Sequence, residues 1–239
     1  MSMPGNTQQL ADVFQTLSAV PRADGGGQGF AVASHKSGAG TSYVARQLAL
    51  AASAHKTSSK RVLLLDADIQ NNAQSQALFA PEATAIYGTP HGPYDATFGQ
   101  IPFWMVTPAT IDTDGLCASD AHFVSLHILP QNDLAFTHFH WEQLREGQTV
   151  MIRNARNYWH ELRQQFAFTI IDVPALDRAD ITNEICKEAD TTVLVAGSGD
   201  THSAELSTAF AKLGGQNCHC AGMIINDVPV HMSGYGGIA

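Results

Sequence analysis

Apolar and polar positions along this chain follow two alternating rhythms. Short, nearly continuous apolar runs occur at 30–34 (FAVAS), 62–68 (VLLLDAD), 124–130 (VSLHILP), 168–174 (FTIIDVP), 191–197 (TTVLVAG) and 221–227 (AGMIIND). Runs of that kind predict strands buried on both faces of a parallel sheet. Between them the spacing turns helical. Apolar residues at 10, 13, 14, 17 and 20 predict a helix over 10–20, and YVARQLALAA predicts another over 43–55. Positions 150, 151, 152, 155, 158, 159 and 162 predict an amphipathic helix over 149–165, carrying Tyr158, Trp159 and Leu162 into the core. A further helix is expected over 203–213. Strands alternating with helices predict an α/β fold: a doubly wound, mostly parallel sheet with helices on both faces. Right-handed crossovers then gather the strands' C-terminal ends along one edge, where ligands bind in such sheets.

PRADGGGQG (21–29) breaks the first helix and reads as a hinge. The expected organisation is an N-terminal helix with its Gly-rich hinge (1–28), a single domain (29–228) and a flexible Gly-rich tail (229–239). Residues 80–120, rich in Pro, Gly and Thr, show little periodicity and predict an irregular excursion with a short helix near 95–100.

Composition narrows the function. Thirteen Lys and Arg against 22 Asp and Glu give a net charge of −9, with basic residues scattered singly. Such a field repels DNA phosphates and anionic headgroups, so nucleic-acid binding is disfavoured. No apolar run approaches the ~18 residues of a membrane span, and MSMPGNTQQLADVF lacks the basic and apolar regions of a leader. A cytoplasmic protein without direct membrane insertion is expected, recruited to the inner membrane face only through a partner. Four cysteines fit a reducing compartment. Cys218-His219-Cys220 is too small a ligand set for a structural zinc site. The eleven histidines, His138 and His140 among them, show no zinc-type spacing and read as surface or pocket residues.

The chemistry concentrates where the first strand meets the first sheet helix. HKSGAGTS (35–42) has the glycines and hydroxyls of a phosphate-binding loop, but Thr41 follows Gly40 where the pattern G-x-x-x-x-G-K-[ST] has its lysine. Backbone N–H groups of Gly38, Ala39, Gly40, Thr41 and Ser42 would cradle phosphate at the helix N-terminus. The Ser42 hydroxyl would ligate Mg²⁺, or else Thr41 or Ser42 merely caps the helix. Lys36, within the loop, would reach a phosphate in its own site or in a partner's across a dimer; its plainer reading is an exposed loop lysine. Asp66 and Asp68 end one buried run and Asp172 another. Acids at adjacent strand ends are placed to hold a metal or to orient water or a hydroxyl, although lone aspartates there commonly cap the following helix.

The colinear order of these pieces resembles the MinD/ParA-type P-loop ATPases, and within them the cytoplasmic domain of bacterial tyrosine kinases of capsule and exopolysaccharide systems. The resemblance spans roughly residues 10–228. HKSGAGTS resembles their deviant Walker A, with Lys36 at the signature lysine. VLLLDADIQ is similar to Walker A′, and FTIIDVPA to Walker B. VLVAGSGDTHSAEL resembles the later strand with its downstream threonine, here Thr201. GMIIND resembles the strand whose asparagine, here Asn226, lies near the base. The resemblance implies ATP or ADP with Mg²⁺ on Ser42, Asp66 and Asp172, catalytic roles for Asp66 and Asp68, a membrane co-polymerase or export protein as partner, and homo-oligomers.

The departures cut against the ATP grip, the ring assembly and the phosphoacceptor tail. Thr41 replaces the catalytic lysine, and Gln70 an arginine after Walker A′. Asp12, Gln15 and Ser18 replace the Glu-x-x-Arg-x-x-Arg oligomerisation motif. Only Tyr235 remains of the C-terminal tyrosine cluster. The expectation is a catalytically degenerate, kinase-like scaffold for exopolysaccharide synthesis or export, with or without bound nucleotide. The alternatives are an atypical ATPase or tyrosine autokinase using Lys36, and a MinD/ParA-type positioning ATPase for partition, pili or flagella.

Overall fold

Among the described residues, eight of ten strands pair into one sheet, and its register decides where the acids meet. The computed structural model describes residues 5–111, 114–178, 181–197, 204–215 and 218–226. Its first half runs α1 (Gly5–Ser18), β1 (Gln28–Ser34), α2 (Thr41–His55), β2 (Val62–Asp66), α3 (Ala73–Phe79), α4 (Pro81–Tyr87), β3 (His91–Asp95) and β4 (Trp104–Thr107). Then come β5 (Val124–Leu129), β6 (Leu134–Phe139), β7 (Thr149–Ile152), α5 (Arg156–Gln165), β8 (Phe168–Asp172), α6 (Ile181–Glu188), β9 (Thr191–Gly197), α7 (Ala204–Gly215) and β10 (Cys220–Asn226). The strand order is β10-β9-β1-β8-β2-β6-β5-β3. From β10 to β6 the pairs are parallel; β5 and β3 add two antiparallel strands at one edge. β4 and β7 form a separate antiparallel pair.

Both faces of the sheet are covered, which is why its central strands are buried almost throughout and mostly apolar. Successive side chains of a strand point to opposite faces. Phe30, Val32, Leu64 and Ile170 therefore join one core with Leu10 and Phe14 of α1 and Val44 and Leu48 of α2. Ala31, Ala33, Leu63, Leu65 and Ile171 join the other with Tyr158, Trp159 and Leu162 of α5, Ile185 of α6 and Leu213 of α7. Phe14 meets Phe168 edge-on at 4.8 Å between ring centres, which fastens α1 to the sheet.

The structure corrects the sequence reading at three places. The helix expected over 149–165 is shorter: Thr149–Ile152 is strand β7, paired with Trp104–Thr107, and the helix begins at Arg156. Backbone pairing to a distant segment outweighs the local helical spacing there. Residues 80–120 hold α4, β3 and β4. The expected helix near 95–100 is a turn in which Asp95 accepts from the Thr97 N–H and hydroxyl. Finally, LAFTHF (134–139) is a full strand, β6, pairing antiparallel with β5 and parallel with β2. The tail 229–239, Thr201 and Tyr235 lie outside the described residues.

Candidate functional site

β1 runs out at Ser34 and the chain curls through 35–40 into α2. Gly38 and Gly40 both sit at φ 83°, in the left-handed region that glycine enters without steric cost. Gly40 is the helix N-cap, so neither Thr41 nor Ser42 occupies the capping position. The Ser42 side chain instead faces Asp172 and favours its charged form. Side chains from outside the loop hold it: the Asn226 amide donates to the Ala39 carbonyl at 3.1 Å, the Ser34 hydroxyl donates to the Lys36 carbonyl at 2.9 Å, and Asp177 Oδ2 accepts from the Ser37 N–H at 3.4 Å. Asn226 thus meets the loop from the end of β10, two strands away from β1.

The parallel register sets Asp66 and Asp172 side by side as partners at the ends of β2 and β8. Both are buried. The Gln74 N–H donates to Asp66 Oδ2 at 3.0 Å. The Gln74 amide donates to Asp172 Oδ2 at 2.7 Å and to the Ser42 carbonyl at 2.9 Å, while its oxygen accepts from Arg46 at 3.1 Å. The second oxygens, Asp66 Oδ1 and Asp172 Oδ1, are buried without a protein partner. Burial raises the Asp172 carboxyl to about 6, against the Ser42 and Gln74 hydrogen bonds. Asp66 is pushed up by burial and then by Asp172. Two orphaned carboxylate oxygens beside a hydroxyl form the hard oxygen set that suits Mg²⁺. On that count Ser42, Asp66 and Asp172 fit such an ion.

Asp68 is occupied differently. Arg178, six residues past Asp172, grips it with two parallel bonds of 3.0 and 2.9 Å. Asn71 adds a bond of 2.7 Å to Asp68 Oδ2. Arg178 and Asp68 line a cleft of about 500 Å³ together with Ser34, Gly38, Gly40 and Thr41. The cleft also takes in Gln70, where the kinase resemblance expects arginine. Among its lining residues Arg178 is the basic one; Lys36 is exposed and lies outside the lining.

The structure therefore brings Gly38, Gly40, Thr41, Ser42, Asp66, Asp68 and Asp172 together, with Ala39 buried behind the loop and fastened by Asn226. Asp12 and Gln15 are exposed on α1, remote in sequence from the loop. Three members escaped the sequence reading: Arg46, Gln74 and Arg178. Arg46 sits in an apolar helical stripe, yet its guanidinium is buried behind the acids; burial lowers its pKa while Asp172 and Asp66 raise it. Gln74 and Arg178 sit in polar stretches with no motif spacing. A charged residue inside an apolar stripe was the one signal available, and it pointed to Arg46.

Comparison with known proteins agrees with this geometry. Residues 30–234 match the CobQ/CobB/MinD/ParA nucleotide binding domain family, CbiA. No curated protein matches the chain. Among solved structures, the kinase domain of Escherichia coli tyrosine kinase ETK superposes with a TM-score of 0.61 at 14% identity, over 93% of this chain and 75% of that one. The chimerical protein CapA2B2 gives 0.60 at 15% identity, over 95% of this chain and 86% of that one. The BceF tyrosine kinase domain gives 0.58 at 19% identity, over 93% and 78%. At such identities the likeness is one of fold. With a mostly parallel sheet, a glycine-bent loop at the first strand end and a family match over most of its length, the chain belongs to the CobQ/CobB/MinD/ParA nucleotide-binding family.

Proposed function

We propose that this chain is a tyrosine-kinase-like nucleotide-binding protein that turns nucleotide over slowly or not at all. In this reading it serves exopolysaccharide or capsule export as a partner of the membrane co-polymerase machinery. One observation carries the reading: the cation set of the cleft. Thr41 stands where an ammonium would clamp phosphate, Lys36 is outside the lining, and Arg178 is committed to Asp68 by a bidentate pair. Phosphate would be held by the loop amides, with Ser42, Asp66 and Asp172 holding Mg²⁺ directly or through water. Bound Mg²⁺ would supply charge neutralisation between the carboxylates and the phosphates. Arg178 then has two competing anions, Asp68 and phosphate. Moving from one to the other would make occupancy felt at the loop after β2, as a switch needs. Loss of a phosphate-clamping cation commonly lowers turnover by ~10³ or more, which supports binding without efficient catalysis.

The membrane partner is supported by the order of the motifs and by the tyrosine kinase domains among the similar folds. Among the described residues no helix is long and apolar enough to cross a membrane, so a route to one would run through such a partner. Calorimetry with MgATP and MgADP tests the nucleotide half. Wild type is expected to bind, Thr41→Lys to bind at least tenfold tighter, and Arg178→Ala about tenfold more weakly. Phosphate release should stay at background. Release that rises above background and vanishes in Lys36→Ala would instead establish the active autokinase or ATPase. Gene deletion tests the partner half: unchanged polysaccharide yield and chain length would refute it.

A further inference from the structure

The β5–β6 hairpin carries a second chemical cluster, separate from the phosphate cleft and independent of the reading above. Ser125 and His138 are directly opposed partners across β5 and β6. His127 shares the Ser125 face, His140 follows directly on β6, and Glu142 lies in the single 3-10 turn Trp141–Gln143 beyond it. That turn carries the Glu142 carboxylate to the His140 ring, with Oε1 2.7 Å from Nδ1. The donor atoms of His138, His140 and Glu142 all lie within 4.8 Å of one another.

We infer that His138, His140 and Glu142 form a binding site for a divalent transition metal of the zinc class. Two imidazoles and a carboxylate are the donors such ions take, leaving a fourth position for water. The surroundings orient the rings as outer groups around a metal site do. The Ser125 hydroxyl lies 2.8 Å from His140 Nε2 and 2.9 Å from His127 Nε2. With Nε2 so engaged, Nδ1 is the His140 nitrogen on the Glu142 side, 2.7 Å from Oε1. Asn72 lies 3.3 Å from His138 Nδ1 and is itself fixed by two bonds to the Phe139 backbone. Zinc bonds of about 2.0–2.2 Å put neighbouring ligand atoms about 3.3 Å apart in a tetrahedron. The His140–Glu142 contact must therefore open by roughly half an ångström, which the exposed Glu142 side chain allows.

Aromatic packing accounts for part of the cluster. Phe79 meets His127 and His138 edge-on at 4.9 and 5.7 Å. It does not account for His140 and Glu142 on the open side. Asn72 and Trp141 tie this corner to the loop after β2: the Trp141 indole donates to the Ile69 carbonyl at 2.8 Å. A metal held here would brace the segment that lines the phosphate cleft through Gln70 and Asn71.

The test is calorimetric titration of the untagged full chain with Zn²⁺, with X-ray absorption of the loaded protein. One equivalent is expected at micromolar Kd or tighter, unmoved by millimolar Mg²⁺, with nitrogen and oxygen alone around the metal. Cys218→Ser/Cys220→Ser should leave it intact. His138→Gln/His140→Gln should weaken it at least 100-fold, and Glu142→Gln, on the surface and safe for folding, about tenfold. The rise in melting temperature with Zn²⁺ should vanish in step. No saturable binding, sulfur in the metal's shell, or affinity unmoved by Glu142→Gln would each overturn the assignment.

Discussion

Asp172 concentrates the site's electrostatics in one side chain. Its carboxyl is raised to about 6 because burial disfavours its charge more than Ser42 and Gln74 favour it. A carboxyl raised on folding contributes stability that is fully present below its ordinary value of 3.8 and is lost as pH rises through about 6. Asp172→Asn should therefore stabilise the protein by about 1–3 kcal/mol at pH 7.5 and hardly at all at pH 4. Urea melts of both proteins at the two pH values check this; an equal effect at both would refute it. The same variant should lose the Mg²⁺ dependence of nucleotide binding. Tyr158 poses the opposite case, a phenol hydroxyl buried with no protein partner. Tyr158→Phe removes an unsatisfied donor and should leave stability unchanged or raise it by up to about 1 kcal/mol. Residues of this kind show how unevenly a site is written in sequence. Asp66, Asp68 and Asp172 could be read because each interrupts an apolar run at its end. Arg178 could not, because only the fold carries it back to Asp68, 110 positions away.

At the scale of elements, the strongest sequence signals were those buried on both faces. β1, β2 and β8 are buried almost throughout because helices cover each side, so their apolar runs could be mistaken for little else. α1 was legible for the same reason, its stripe being the face that meets the sheet. Phe14 is 2% exposed and packed on Phe168, so Phe14→Ala should cost about 3–4 kcal/mol. The urea midpoint should fall with little change in slope; a loss below 1 kcal/mol would mean α1 is not part of the cooperative unit. β6 and β7 were missed for a physical reason too. β6 carries Thr137 and His138 within its run, and β7 takes its conformation from Trp104–Thr107 across a gap of more than forty residues. Where pairing to a distant segment decides the structure, local spacing misleads.

Over the whole molecule, the −9 charge argues against polyanions except where a local site overrides it. The loop amides and Arg178 would be that exception for nucleotide phosphates. Affinity for random DNA at 50 mM salt should accordingly be negligible, while MgATP raises the melting temperature. A DNA-dependent mobility shift would revive the partition reading. The two candidate sites meet on one segment, Ile69–Asn72, which faces the cleft through Gln70 and Asn71 and the histidine corner through Asn72.

The sequence by itself determined the α/β class, the mostly parallel sheet, and the places of the glycine loop and the three acids at the strand ends. Each follows from short-range order: apolar runs, the glycines at 38 and 40, and polar residues at run ends. Tertiary structure alone decided which groups face one another. Parallel register put Asp66 beside Asp172, a loop return put Arg178 on Asp68, and antiparallel pairing of β5 with β6 put Ser125 against His138. The first two contacts join positions far apart in the chain, and the third depends on how the β5–β6 hairpin pairs. No local pattern encodes them, because the free energy that forms them comes from packing the whole sheet between its two layers of helices.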